Sequence, residues 1–385
     1  MHIALLTDGL YPYKTGGMQK HTLLLAKYWS HQGVSVDLVY TLPADFTEND
    51  DLDEHLTKEE KKNIRFIRVE RPKDFYFPGH YIWTSYRISR NIAKVIKQQP
   101  ETDFIYAQGF AGWQLIKEKK KGKKISPIGV NFHGLNMFQK AVSLKSQMEH
   151  FLFRPFVRYN LQHADYALSL GGGITDIIFK EVRRNTRVIE SPNGIDGEWL
   201  KNGEYDIANN HTNKRRFVFI GRYERIKGVQ ELNSVLQRLS TDGGDFYFDV
   251  VGPIPENLKI NLQNVNYWGL IREENKIQSI LQKADVLVCP SYSEGMPTVI
   301  LEAMGSGCAI VATDVGAVDT LVAEDNGWLI PPGDKDRLLE AMKQAIAIGD
   351  QELQQKKEIS RHRVEGYTWE NIAEQTLNNI KEAIN

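Results

Sequence analysis

The 385-residue chain is too long for one ordinary hydrophobic core and, at about 150 residues per domain, implies two domains or three. Its 48 Lys and Arg almost cancel 49 Asp and Glu, and its 41% apolar and 25% charged residues are the proportions of an ordinary soluble globular protein. No run of about 18 apolar residues occurs and MHIALLTDG lacks the charged start of a signal peptide, so neither a spanning helix nor an exported leader is expected and cytoplasmic residence is the default.

Short apolar runs alternate with helical patterns along the whole chain. HIALLT at 2–7, VSVDLVY at 34–40, IRFIRV at 64–69, DFIYA at 103–107 and ISPIGVNF at 125–132 read as strands of a first half. RFVFIG at 216–221, FYFDVVG at 246–252, ADVLVCP at 284–290 and AIVAT at 309–313 read as strands of a second. This βαβα rhythm predicts an α/β fold of parallel sheets covered by helices, solved most naturally as two Rossmann-like units with the ligand between them, beyond the strand ends. The break falls at Ser191-Pro192-Asn193-Gly194, ahead of the polar stretch 203–216, giving domains 1–190 and 191–367. The amphipathic ending 368–385, with Thr368 as its cap, is expected to pack back on the first domain. Residues 43–63 lack apolar periodicity and read as an acidic surface loop. Cys289 and Cys308 sit in apolar runs and read as buried thiols.

Charge is uneven: residues 1–190 hold 28 Lys and Arg against 20 Asp and Glu, and the remainder 20 against 29. A basic half facing an anionic acceptor or a lipid surface is one reading; a solvated lysine loop, KEKKKGKK at 117–124, is the plainer one. FYFPGHYIWTSYR at 75–87 and FLFRPFVRY at 151–159 mix aromatics with Arg and suit sugar stacking or a membrane interface, but such stretches more often pack in a core. Pro155 argues against an unbroken interfacial helix.

Two motifs carry chemistry. EGMPTVILEAMGSG at 294–307 sets Glu294 and Glu302 eight positions apart across a Gly-Met-Pro turn expected to open a helix, with Pro297 in its first turn and Gly295 permitting close approach to the backbone. Free N–H groups at such a start receive a phosphate, and Glu302, roughly 7–8 Å along the axis, suits an attached ribose. GRYERIKG at 221–228 puts Arg222 and Lys227 at the end of a strand, where two cations would neutralise a diphosphate leaving group in place of a divalent ion. Asp51-Leu52-Asp53 and Asp334-Lys335-Asp336 both spell D-x-D, but the first lies in an acidic loop and Asp334 is better placed as a helix N-cap, so no metal site is expected.

These motifs together resemble the retaining, nucleotide-sugar-dependent glycosyltransferases of family 4, which have the GT-B architecture of two Rossmann-like domains. The resemblance extends over nearly the whole chain: GGMQKHTLLLAKYWSHQGVSVDLV is similar to the family's glycine-rich first loop and helix, SPNGID to its interdomain connection, and NGWLIPPGD and TWENIA to its later landmarks. It implies an acceptor side in the first domain and a nucleotide-sugar site in the second. It implies that Arg222 and Lys227 hold the donor phosphates with the backbone of Gly295, Met296, Pro297 and Thr298, that Glu302 binds the ribose, and that Glu294 binds a hydroxyl of the transferred sugar. Gly16 and Gly17 would let the first loop pass close to donor phosphate and acceptor, and His133, in GVNFHGLN, matches the family's histidine near the reacting sugar. Many relatives carry a glutamate where this chain has Gln19, and a glycine and a glutamate where it has Ala317 and Asp319.

The expected activity is metal-independent, retaining transfer from a UDP- or GDP-sugar, with no other cofactor, to a hydroxyl of a glycan, lipid-linked glycan or small molecule. Nucleic acid is not an expected partner, and peripheral contact with the cytoplasmic face of the membrane is. An epimerase or hydrolase on the same fold and a non-catalytic nucleotide-sugar sensor are the rivals.

Overall fold

The computed structural model describes residues 1–14, 16–46, 50–73, 75, 77, 79–182, 186–201 and 214–385, and the chain falls into two compact units. The first comprises Met1–His133, Glu149–Pro192 and Trp369–Asn385; the second comprises Gly134–Met148 and Asn193–Thr368. The second unit therefore takes a short segment, Gly134–Met148, from within the stretch that sequence alone gives to the first. Residues 203–213 of the polar stretch lie outside the described residues.

The first unit holds a parallel sheet of β1 (His2–Leu6), β2 (Ser35–Leu42), β3 (Ile64–Glu70), β4 (Phe104–Gln108), β5 (Ile128–Asn131), β6 (Tyr166–Ser169) and β7 (Arg187–Glu190), in the order β3-β2-β1-β4-β5-β6-β7. The second holds β8 (Arg215–Ile220), β9 (Phe246–Val251), β10 (Val265–Gly269), β11 (Val286–Cys289), β12 (Ala309–Thr313) and β13 (Gly327–Ile330), in the order β10-β9-β8-β11-β12-β13. Both orders reverse beside the first strand, between β1 and β4 and between β8 and β11, and a doubly wound sheet opens a crevice at that point. The cores are continuous apolar runs, as strands covered on both faces require: Leu6, Ile105 and Val130 in one unit, Phe217, Phe248, Val286 and Val311 in the other, all almost fully buried.

Local departures have local causes. β6, β7, β10 and β13 escape sequence reading; the last three are sheet edges, where each strand is only partly buried and no continuous apolar run is required. Residues 43–63 are not simply a loop: Thr57 and Glu60 form a capping box on the helix Lys58–Lys61, and Leu52, Leu56 and Glu60 are buried. The helix Leu144–His163 runs through Pro155 unbroken, and the carbonyl the proline leaves without a helical donor belongs to Phe151, on the exposed side. Both cysteines are free and buried. The helix Trp369–Ile384 joins the first unit, where Trp29 donates its indole N–H to the Ala373 carbonyl at 2.8 Å.

Candidate active site

In the second unit the chain leaves β8 through Gly221 and Arg222, turns at Arg225–Lys227 and enters the helix Val229–Thr241 at Gly228. Gly228 has φ 70°, and a β-carbon there would sit 2.0 Å from the Pro290 carbonyl oxygen. The loops after β8 and β11 thus touch backbone to backbone. Tyr292 seals the contact, its N–H donating to the Ile226 carbonyl at 2.7 Å. Arg225 grips the Glu231 carboxylate through two hydrogen bonds of 2.8 and 2.7 Å and lies over the Tyr292 ring, whose hydroxyl also donates to Glu231. Sequence reading passed over this brace because Arg225, Glu231 and Tyr292 come from three separate elements.

The brace aims Lys227 at Glu294: their Nζ and Oε1 atoms are 2.6 Å apart. Burial works against the Lys227 ammonium, but the neighbouring Glu294 carboxylate more than offsets it and the pKa stands above its ordinary value, so the cation is secure at neutral pH. Arg222 is different. Its side chain is 76% exposed and pairs with Glu224 at 3.0 Å, a surface pair weak enough to exchange for a phosphate.

The helix after Glu294 begins at Thr298 and runs to Gly305, with Pro297 as its N-cap instead of in its first turn; the cap has an extended ψ of 118° and supplies no side-chain hydrogen bond. The first N–H groups of this helix have no intrahelical acceptors by construction. Met296 and Pro297 are buried, Thr298 is exposed, and Glu302 is half-buried one turn further along. Gly316, at φ 61°, lies so close to the Glu294 and Gly295 carbonyls that a β-carbon would be 2.3 Å from each, and Ala317 N–H donates to Gly295 at 2.7 Å. Gln139 was also missed: its amide donates to the Glu294 carbonyl at 2.6 Å and receives the Glu294 N–H at 3.4 Å, while Asn136 accepts from Ser293 at 2.8 Å. Asn136 closes the GVNFHGLN stretch but was given no role, and no motif marks Gln139; both lie in the segment the second unit takes from the middle of the first.

In the first unit, Gly16 caps the helix Gly17–His31 with an extended φ of 169°, and a β-carbon at Gly17 would meet nothing within 4 Å. A β-carbon at Gly16 would come within 2.3 Å of the Gln19 side-chain oxygen, so of the two glycines only Gly17 leaves open space over the helix start. Gln19, in the place of a charged residue, donates to Asp8 at 2.8 Å. His133 follows β5 with φ 53°, a left-handed conformation uncommon outside glycine and held here by its N–H bond to Asn131 Oδ1 at 2.7 Å. Asn131 in turn donates to Tyr106, which pairs with Ser191, all buried. The His133 Nε2 lies 2.8 Å from the Gln108 carbonyl oxygen, and the Gln108 amide lies 3.2 Å from His21 Nδ1. This arrangement makes Nε2–H the proton-bearing nitrogen of His133 and leaves its Nδ1 as an acceptor.

Burial pushes His133 down to about 4, and burial followed by the nearby His133 takes His21 well below the ordinary histidine value. The unfolded chain therefore binds protons that the folded chain refuses: stability is complete above about pH 6.5 and falls as pH drops toward 4, by roughly 2 kcal/mol at pH 5 for His133 alone. Urea unfolding at pH 7 and pH 5 is expected to show a smaller acid loss in His133→Asn, a substitution suited to the positive φ; an equal loss would mean that His133 is not held neutral.

Asp334 caps the helix Lys335–Ala347, accepting from Asp336 and Arg337 N–H groups at 3.1 and 3.0 Å, and Asp336 pairs with Arg238. Asp53 pairs with Lys61, and the Asp51 side chain lies outside the described residues.

Doubly wound units of this order, each with its conspicuous loops at the strand-order reversal, define a GT-B fold. The sequence matches "Glycosyltransferase Family 4" over residues 15–199 and "Glycosyl transferases group 1" over 214–347, and the chain belongs to this family. It is 34% identical over 129 residues to TuaC of Bacillus subtilis, provisionally named a teichuronic acid biosynthesis glycosyltransferase, covering 34% of this chain and 32% of TuaC. It is 31% identical over 185 residues to the alpha-maltose-1-phosphate synthase of Mycolicibacterium smegmatis, covering 43% and 47%. The chain thus spans a third to a half of the length of these curated relatives. Sucrose-phosphate synthase from Thermosynechococcus elongatus superposes with a TM-score of 0.77 at 19% identity, over 99% of this chain and 98% of that one, which establishes the fold.

Proposed function

We propose that the protein is a retaining, metal-independent glycosyltransferase that moves a sugar from a UDP- or GDP-sugar to an acceptor hydroxyl in glycan, polysaccharide or glycolipid synthesis. The observation that carries this reading is the 2.6 Å pair of Lys227 with Glu294, which brings the two motifs together at the strand-order reversal of the second sheet. Lys227 and Arg222 neutralise the departing diphosphate together with the N–H groups at Gly295, Met296 and Thr298, Glu302 takes the ribose, and Glu294 orients a sugar hydroxyl. Transfer with retention needs attack from the face the leaving group vacates, and a donor phosphate oxygen then receives the acceptor proton. Glu294, engaged with Lys227, serves as a positioning carboxylate and not as a nucleophile, while His133 lines the reacting sugar with a neutral ring. A cytoplasmic location with peripheral contact at the membrane completes the reading.

The test is a panel of UDP- and GDP-sugars, following nucleotide release with and without an acceptor extract. Acceptor-dependent release is expected; product without acceptor would favour an epimerase or hydrolase, and saturable binding without turnover a sensor. Glu302→Ala is expected to weaken donor affinity by about tenfold or more, the scale of a lost charged hydrogen bond. Unchanged affinity by calorimetry would remove Glu302 from the ribose site.

A further inference from the structure

β4 ends beside the strand-order reversal of the first sheet, and its last residue, Gln108, is the register partner of Asn131 at the end of β5. Gln108 is a polar side chain closing the apolar strand FIYAQ, and at 1% exposure its amide must find its partners inside the protein. It finds two imidazoles. The amide nitrogen lies 3.2 Å from His21 Nδ1 and the amide oxygen 2.8 Å from His133 Nε2. The two rings meet edge to face at 4.9 Å, and Trp369, the first residue of the last helix, closes on His21 at 5.3 Å. His21 is as deeply buried as Gln108, so neither can turn to water.

An amide between two imidazoles has a direction. It donates only through nitrogen and accepts only through oxygen, so the ring at one end must present a bare nitrogen and the ring at the other a protonated one. Here His21 presents the bare Nδ1 and His133 donates from Nε2. The direction is set at the His21 end. Burial, and then the nearby His133, deny His21 a second proton; the Ser191 and Pro192 carbonyls, which work in the opposite sense, favour its one proton on Nε2, since Nδ1 faces the amide. A proton on His21 Nδ1 would turn the amide over and move the His133 proton to Nδ1 as well. The His133 backbone is fixed separately, by its N–H bond to Asn131, so Gln108 governs the ring alone.

We propose that Gln108, aimed by His21, is a positioning residue for the transfer reaction, fixing His133 as the Nε2–H tautomer and leaving Nδ1 as the acceptor of that ring. The proposal rests on the reading that His133 lines the reacting sugar. A neutral imidazole whose proton is committed to Gln108 can accept from a hydroxyl and offers no proton of its own, which suits a group that orients a sugar. The titratable groups facing His133 within the first unit are His21 and, behind Asn131, Tyr106, which burial lifts to about 12, so neither brings a charge at neutral pH.

The experiment is long-range proton–nitrogen correlation spectroscopy of the full chain carrying isotope-labelled histidine, with His133 assigned by His133→Asn, and kinetics of acceptor-dependent nucleotide release on the same preparations. At neutral pH the native chain is expected to show His133 uncharged with its proton on Nε2. Gln108→Met, which keeps the length of the side chain and removes both hydrogen bonds, is expected to leave His133 exchanging between tautomers and to lower kcat by about tenfold or more, with donor KM held within about twofold. Gln108→Glu keeps the acceptor for Nε2–H but sets a carboxylate against the ring, so the His133 titration is expected to move to higher pH and the acid limb of the kcat profile to move with it. Should Gln108→Met not fold, Gln108→Glu, which stays hydrogen-bonded, carries the test. A native spectrum with the His133 proton on Nδ1, a tautomer unmoved in Gln108→Met, a His133 titration unmoved in Gln108→Glu, or a tautomer lost without loss of kcat would each overturn the proposal. A chain that turns over no donor fails the transferase reading, and the spectra, which need no substrate, still decide whether Gln108 sets the tautomer.

Discussion

Lys227→Ala is expected to lower turnover by about 10²–10³ at saturating donor, the loss that follows removal of one preorganised electrostatic stabiliser. The ammonium is held in place before any donor arrives, by Glu294 at 2.6 Å and by the Arg225–Glu231–Tyr292 brace beneath its loop. Preorganisation of that kind acts on charge that develops at the leaving diphosphate and leaves the ground state less affected, so the expected loss falls on kcat more than on donor KM. A thermal melt of the variant guards against the other consequence, a half-buried Glu294 left without its cation. Arg222→Ala should also lose activity, but through a residue that must first leave Glu224, and its loss should be the more sensitive to salt. Turnover near that of the native chain in Lys227→Ala, with the fold intact, would remove Lys227 from the reaction.

Gly228→Ala is expected to cost about 3 kcal/mol or more of stability in the second unit and to abolish donor binding. Two penalties combine: the left-handed φ of 70°, worth about 1–2 kcal/mol for a residue with a β-carbon, and a 2.0 Å approach to the Pro290 carbonyl, which is backbone and cannot turn aside. Relief requires the loops after β8 and β11 to separate, and those loops carry Lys227 and Glu294. Urea unfolding with calorimetry on the same preparation checks both effects; native-like stability and affinity would show that the close approach is not needed.

The legible part of the sequence was the part with a repeating physical signal. Apolar runs such as Phe217–Ile220 and Val286–Cys289 are continuous because both sheet faces are covered, and they announced parallel strands and the α/β class at once. Asp334 was legible as a cap for the same reason of local chemistry. Residues whose meaning depends on a distant partner were not: Gln139 gains its place only by bonding both sides of the Glu294 backbone, and Gln108 only by lying between His21 and His133. The aromatic stretches show the converse. Trp83 and Phe156 lie on amphipathic helices, and composition cannot tell whether another layer covers them.

The central claim is that side-chain cations and helix-end amides of the second unit hold a nucleotide diphosphate without a divalent ion. Calorimetric titration of UDP and GDP into the protein, first in excess chelator and then with magnesium or manganese, tests it most directly. The account predicts saturable binding of one of the two nucleotides in chelator, little changed by added metal and weakened in Lys227→Ala. Binding that vanishes in chelator and returns only with the metal would contradict it.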